Sequence, residues 1–195
     1  MAKVVFTKED KINIIKTPLI LFAICLVAVA LLAAMNKVTE GPIAQNEEKA
    51  MMQAMQTVLP ASDYLSLTVS ESEGDCTVSR ASAAVDEKGE LLGYCISLEK
   101  TGYKDTVSVM VAVSSDAKTV LGVDIVSQNE TPGLGSKITK DNFLAQFFGT
   151  PAPVSANVDT ISGATVSSST VVSIVDTAVV CVQNHQAAWE KEGAK

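Results

Sequence analysis

The chain has 195 residues, of which 47% are hydrophobic and 19% charged, and its 15 basic and 22 acidic residues leave a net charge of −7. This apolar content excludes an intrinsically disordered chain, and the length accommodates one ordinary domain plus an appendage. The acidic balance argues against a nucleic-acid partner, and a single histidine without clustered cysteines argues against a His- or thiolate-ligated metal site.

An uncharged apolar segment runs from Leu19 to Met35. As a helix it rises about 26 Å, and its flanking residues extend it toward the roughly 30 Å of a bilayer core. A cleaved signal peptide is the alternative, but its apolar stretch is shorter, and the small-residue triplet Ala28–Ala30 lies inside the run rather than after it. The pattern favours an uncleaved transmembrane helix over residues 19–36.

Basic side chains are concentrated before this helix. Residues 1–18 carry four lysines against two acidic residues, whereas residues 36–195 carry 11 basic and 20 acidic residues. The positive-inside rule predicts that residues 1–18 lie in the cytoplasm and that the long C-terminal part lies outside the cell membrane.

A linker and a second helix are predicted over residues 37–60. The helical signal lies in 41–60, where apolar residues recur at three- and four-residue steps and Pro60 ends the pattern. We interpret the methionines of this stretch as core residues, since methionine commonly fills gaps in a core.

Four strand patterns follow, and they are Ser82–Asp86, Leu91–Leu98, Thr106–Val113 and Thr119–Val126. The third alternates cleanly, with the valines from Val107 to Val113 on one face and Thr106, Ser108, Met110 and Ala112 on the other. Short connections between successive strands are typical of an antiparallel meander.

Two further helices complete the predicted elements. Asp141–Gly149 is predicted to form a short helix with Phe143, Phe147 and Phe148 on one face. The segment from Thr165 to about Trp189 is rich in β-branched residues, but its length and apolar spacing favour a helix. The predicted fold class is therefore α+β, with residues 61–195 forming one domain of an antiparallel sheet and flanking helices.

The cysteines leave two interpretations open. Cys76 and Cys95 form a disulfide if their strands are neighbours, or they remain buried free thiols.

Two loops have the composition of a binding site. Residues 129–135 follow a predicted strand and combine a proline with two glycines, so their backbone N–H groups can turn toward one point, with the apolar Leu134 at the tip. Residues 159–168 open a predicted helix with Gly163 and several small hydroxyl residues, and a helix N-terminus favours a phosphate group. Taken alone, the first loop is also compatible with an ordinary turn and the second with an ordinary helix cap.

The order of the motifs is more specific than any one of them. The chain shows Gly102-Tyr103, then VSVMVAV, then ETPGLG at 130–135, then FLAQFFG, then DTISGATVSS. This series, behind one N-terminal anchor, resembles the FMN-binding domain shared by the RnfG subunit of the Rnf complex and the C-type subunit of the sodium-pumping NADH:quinone reductase. The size of the chain is closer to the Rnf protein.

The resemblance implies covalently bound FMN. In that family a flavin transferase joins FMN through a phosphoester bond to the last threonine of S-G-A-T, which is Thr165 in this sequence. The other cofactor-binding residues that the resemblance implies are Ser162, Gly163, Ala164, Glu130, Thr131, Gly133, Leu134, Gly102 and Tyr103.

The resemblance also implies an electron-relay subunit of a membrane complex that couples electron transfer between ferredoxin and NAD to ion translocation. Its partners would be the membrane and Fe–S subunits of that complex. The chain itself is not expected to bind ferredoxin or NAD, because it has neither a G-x-G-x-x-G fingerprint nor a set of Fe–S cysteines. As a subunit of the complex, it is expected to have no independent catalytic activity. The alternatives are the C-type subunit of the quinone reductase, a free-standing flavinylated electron carrier, and an anchored binding domain without a flavin.

Overall fold

A computed structural model describes the backbone of residues 8–192, and the side chains of residues 1–15, 17 and 190–195 lie outside the description. The prediction that residues 1–18 lie in the cytoplasm depends on four lysines, and the side chains of three of them lie outside the described part of the chain. By its internal contacts the chain divides into two units, residues 1–48 and residues 49–195.

Helix α1 runs without a break from Lys8 to Val58, so the linker and separate second helix predicted over residues 37–60 form one helix with the apolar segment. The helix lies in the first unit up to Glu48, and its last turns belong to the second unit. The described residues contain two helical stretches long and apolar enough to cross a membrane, Pro18–Val58 and Thr165–Trp189. The most apolar window of the first is fully exposed, whereas that of the second is 61% buried. The first is thus the candidate membrane span, and the second is a core helix of the folded domain.

The second unit is built on a seven-stranded antiparallel sheet. The strands are β1 (Asp63–Ser66), β2 (Ser72–Glu73), β3 (Cys76–Val85), β4 (Leu91–Thr101), β5 (Thr106–Ser114), β6 (Thr119–Gln128) and β7 (Thr150–Pro151). They are ordered β1-β3-β4-β5-β6-β7, with β2 paired to the start of β3. The predicted meander is confirmed. Strand β3 begins at Cys76 rather than at Ser82, and its first part was missed because a bulge near Val78–Arg80 interrupts the alternation of its side chains.

The two faces of the sheet are buried by different helices. The valines at 107, 109, 111 and 113 lie in the cluster packed against helix α3 (Thr165–Glu192). Met110 and Ala112 lie in the second cluster, which includes Ala54, Met55 and Val58 from the last turns of α1. The predicted assignment of β5 side chains to opposite faces is therefore confirmed.

The predicted phenylalanine face is only partly right. Helix α2 spans Asp141–Leu144 and continues as a 3-10 turn over Ala145–Phe147. Phe143 and Phe147 are buried, with ring centroids 5.3 Å apart, whereas Phe148 is 77% exposed. Placing Phe148 on the same face was wrong, because the chain is already extended at that residue.

The structure decides between the two interpretations of the cysteines. Cys76 and Cys95 are both free and buried. Cys76 belongs to the cluster under α3 and Cys95 to the cluster under α1, so the sheet separates the two thiols. The disulfide interpretation is wrong for this fold.

Candidate functional site

The two loops singled out in the sequence meet at one end of the sheet. The register pairs Val107 at the start of β5 with Gln128 at the end of β6, which brings the β4–β5 turn beside the loop that follows β6. The loop before α3 closes the third side. Together they border a cleft of about 360 Å³, which lies within the range of small-molecule sites. Its lining residues are Tyr103, Glu130, Thr131, Leu134, Gly135, Gly163, Ala164, Thr165, Val166 and Ser167.

Glu130 links the three segments that form the cleft. The residue is 3% exposed, and its Oε1 accepts hydrogen bonds from the backbone N–H groups of Tyr103 at 2.9 Å and Lys104 at 3.1 Å. Its other oxygen accepts a hydrogen bond from the hydroxyl of Ser167, in the first turn of α3, at 2.8 Å. One side chain therefore ties the β4–β5 turn and the start of α3 to the loop that follows β6.

The same hydrogen bonds stabilise the charged form of Glu130. Burial alone would raise the pKa of this carboxyl group, but the donors from Ser167 and from the backbone of residues 103–105 outweigh burial and hold that pKa below its usual value. Glu130 is consequently ionised at neutral pH, and its negative charge lies at the base of the cleft.

Two glycines leave the space that Glu130 occupies. A Cβ at Gly102 would lie 2.3 Å from Glu130 Oε1, and a Cβ at Gly135 would lie 2.7 Å from Oε2 and 2.8 Å from Ser167 Oγ. These distances are shorter than the contacts that Cβ atoms make with other heavy atoms in proteins. Side chains at either position would displace the carboxylate and its donors.

The turn before α3 presents Thr165 to the cleft. The N–H of Ala164 donates to the carbonyl of Ile161 at 2.9 Å, and Gly163 has a φ of 78° at the third position of this turn, as a type II turn requires. Ser168 Oγ accepts a hydrogen bond from the N–H of Ile161 at 3.1 Å, so the first turn of the helix holds the loop that precedes it.

Thr165 is the first residue of α3, and its side chain is exposed at the cleft. The first N–H groups of a helix have no partner within it, and the helix dipole adds a partial positive charge at this end. An anionic group attached to the Thr165 hydroxyl would therefore lie in a favourable field.

Apolar side chains line the cleft around the Glu130 carboxylate and the start of α3. Tyr103 is 72% exposed, Leu134 48% and Val166 52%, and all three line the cleft. The Leu134 methyl Cδ2 lies 3.9 Å from where a Cβ of Gly163 would stand, so the tip of one loop lies close to the other. An apolar rim above hydrogen-bonding groups suits a ligand with a flat aromatic part and a charged end.

The structure brings most of the predicted site residues together. Seven of them line the cleft, and they are Tyr103, Glu130, Thr131, Leu134, Gly163, Ala164 and Thr165. Gly102 lies behind Glu130 rather than on the cleft wall, and neither Ser162 nor Gly133 is among the lining residues.

Sequence reasoning did not select Gly135, Val166 and Ser167 as site residues. Gly135 and Ser167 stand inside the two motifs, so the motifs themselves held the signal. The motifs do not show that both residues lie against Glu130, where Ser167 donates a hydrogen bond to the carboxylate and Gly135 leaves space for it.

A larger and more open groove of about 630 Å³ runs along α3 past Ser169, Ser173 and Asp176. None of the predicted site residues lines it.

Comparisons with known proteins match two segments of the chain. Residues 102–180 match the FMN-binding domain family, and residues 1–58 match the RnfG N-terminal region. The segment that matches the FMN-binding domain contains both loops and all ten lining residues of the cleft.

The chain is 33% identical over 179 residues to the G subunit of the ion-translocating oxidoreductase complex of Methanosarcina acetivorans, with 88% of this chain and 95% of that protein covered. It is 31% identical over 192 residues to the G subunit of the Na⁺-translocating ferredoxin:NAD⁺ oxidoreductase complex of Acetobacterium woodii, with 88% and 92% covered. Among solved structures, Shewanella oneidensis NqrC matches with 23% identity and a TM-score of 0.49, with 56% of this chain and 61% of that chain covered.

Proposed function

The chain belongs to the RnfG family, the G subunits of ion-translocating oxidoreductase complexes, and from that premise we propose that it is the FMN-carrying electron-relay subunit of such a complex. The complex would couple electron transfer between ferredoxin and NAD to ion movement, as the name of the Acetobacterium woodii relative states for that protein. The protein is anchored to the membrane by its N-terminal apolar helix. Its partners would be the membrane and Fe–S subunits.

The attachment point we propose is the hydroxyl of Thr165. The observation that carries this proposal is the position of Thr165 at the first turn of α3, exposed at a cleft formed by both motifs of the FMN-binding resemblance. A phosphoester there would have the unpaired N–H groups of the helix start close by. A flavin transferase would need access to this hydroxyl, and the small residues Gly163 and Ala164 beside it leave that approach open.

Bound FMN would supply the capacity to pass electrons singly or in pairs. The chain's own residues would hold and orient it. Leu134 and Tyr103 would provide the apolar contact area for the ring, and the loop of Thr131 would border it. Glu130 would keep these segments in register from below, without being exposed to solvent itself.

We further propose that the flavin domain, residues 61–195, lies on the extracytoplasmic side and that residues 1–18 lie in the cytoplasm. The support is the bias of lysines toward residues 1–18 and of acidic residues toward the C-terminal part. On that side of the membrane a covalent tether would prevent loss of the cofactor.

The test uses the full chain co-expressed with a flavin transferase and separated on a denaturing gel. We expect yellow-green fluorescence in the band of the parent protein, none in Thr165→Val, and full fluorescence in Ser169→Ala. Ser169 is a matched control, because it carries an exposed hydroxyl one helical turn beyond Thr165. Equal fluorescence in Thr165→Val would overturn the attachment point, and no fluorescence in any form would overturn the flavin proposal.

A further inference from the structure

Three side chains with metal-binding atoms meet at the far part of α3, away from the cleft. They are Glu73 of β2 and Cys181 and His185 of α3, and one ligand atom from each lies within 4.8 Å of the other two. Cys181 lies 16 residues beyond Thr165 along the helix, a rise of about 24 Å. This cluster is therefore separate from the proposed flavin site.

Helix geometry explains only part of this arrangement. Residues four apart on a helix are neighbours, so the 3.9 Å between Cys181 Sγ and His185 Nδ1 follows from their spacing. Glu73 comes from a hairpin more than 100 residues earlier in the chain, and the fold alone brings it here. The amide of Asn184 donates to Glu73 Oε1 at 2.6 Å and fixes that side chain against α3.

The surroundings hold the ligand side chains in place. The ring of His185 stacks on Trp189, with centroids 5.5 Å apart and planes 21° from parallel. The bond from Asn184 constrains the carboxylate in the way that outer-shell partners constrain metal ligands. His185 Nδ1 also lies 3.0 Å from the carbonyl oxygen of Cys181, a contact that would be exchanged for a bond to the metal.

The distances are close to those of a zinc site. With Zn–S near 2.3 Å and Zn–N near 2.0 Å, tetrahedral geometry separates sulfur from nitrogen by about 3.5 Å. The observed 3.9 Å between Cys181 Sγ and His185 Nδ1 needs only a small side-chain rotation to reach that value.

The charges balance as well. A divalent cation, a thiolate and a carboxylate sum to zero charge, which lowers the cost of placing the cation beside a buried thiol. Cys181 is fully buried, whereas Glu73 and His185 are partly exposed. Binding would release the thiol proton to solvent as the S–metal bond forms.

We propose that Glu73, Cys181 and His185 bind one zinc-class divalent cation, with water in the fourth position. The metal would fasten the β2–β3 hairpin to the last part of α3, and so would close a long loop of the chain with three bonds. The expectation from the sequence, that one histidine and scattered cysteines make such a site improbable, did not include Glu73 as a ligand.

The experiment titrates Zn²⁺ into the full chain, purified in detergent, reduced, stripped of metal and expressed without the flavin transferase. We expect one Zn²⁺ per chain, a higher melting temperature with Zn²⁺, and a thiolate-to-metal absorption band when Co²⁺ replaces it. Cys181→Ser and His185→Ala should each weaken binding roughly 100-fold or more and lose the stabilisation by Zn²⁺, since a lost ligand costs at least as much as a lost outer-shell partner.

Two further variants keep the test decisive. Cys95→Ser removes another buried thiol, which lies under α1 and has none of these ligands beside it, and should leave Zn²⁺ binding unchanged. Glu73→Gln changes a partly exposed hairpin residue, so it should fold even if the two α3 variants do not, and should still bind more weakly. No Zn²⁺ bound by the parent, or binding of equal strength in Glu73→Gln, would overturn the proposal.

Discussion

Replacing Glu130 with alanine removes the acceptor of three hydrogen bonds at once. The donors are the N–H groups of Tyr103 and Lys104 and the hydroxyl of Ser167, at 2.9, 3.1 and 2.8 Å. Hydrogen bonds to a charged group contribute about 1.5 kcal/mol each at the low end of their range, so the loss of three is about 4.5 kcal/mol. For a domain of this size, 1 kcal/mol corresponds to roughly 2–4 °C, and the melting temperature should fall by roughly 9–18 °C.

The assay is a thermal melt of the full chain in detergent without flavin, followed through the fluorescence of Trp189. This residue is the only tryptophan of the chain and is 1% exposed, so its emission reports the core under α3. The Glu130→Gln side chain keeps the shape and one acceptor oxygen, so its melting temperature should fall less than half as far as that of Glu130→Ala. Glu87→Ala, at an exposed turn, should stay within about 0.5 kcal/mol of the parent. A Glu130→Ala protein that melts within about 2 °C of the parent would refute the role of this carboxylate in holding the loops.

Three further predictions concern pH, backbone strain and thiol reactivity. The pKa of Glu130 is lower in the folded chain than in the unfolded one, so the stabilisation by this carboxylate is present at neutral pH and is lost as pH falls through the folded pKa. Below about pH 4 the free energy of unfolding should therefore fall less steeply with decreasing pH in Glu130→Gln than in the parent. Equal slopes in the two proteins would count against a lowered pKa. Gly163→Ala forces a φ of 78° on a residue with a Cβ, and should cost about 1 kcal/mol or more and slow flavin attachment, measured by melting and by a time course of gel fluorescence. Burial raises the pKa of the Cys95 and Cys181 thiols to about 12, so iodoacetamide at about pH 8 should leave both unmodified until denaturant is added, and rapid labelling in the native protein would contradict their burial.

The strands β4 to β6 and helix α3 were predictable because their side chains follow one period over many residues. The valines of β5 alternate without interruption, and α3 is too long for a strand. Short or irregular elements do not show a regular period of apolar side chains. β2 has two residues, and the helix at Asp141 turns into a 3-10 turn that places Phe148 in solvent.

The location of the candidate site was predictable from two loop motifs, but the way it is held together was not. Glu130 and Ser167 are 37 residues apart, and nothing in either motif indicates that a carboxylate of one accepts a hydrogen bond from a hydroxyl of the other. The same holds for Glu73 and Asn184, which are 111 residues apart. Contacts of this kind follow from the register of the sheet and the position of α3 on it, which single-sequence patterns do not encode.

Intact-mass measurement of the full chain co-expressed with a flavin transferase determines whether FMN is bonded to the hydroxyl of Thr165. We expect a gain of one FMN less one water, retained after denaturation and located by fragmentation to the peptide that contains Thr165. An unmodified mass, or a flavin located on any other side chain, would exclude that bond.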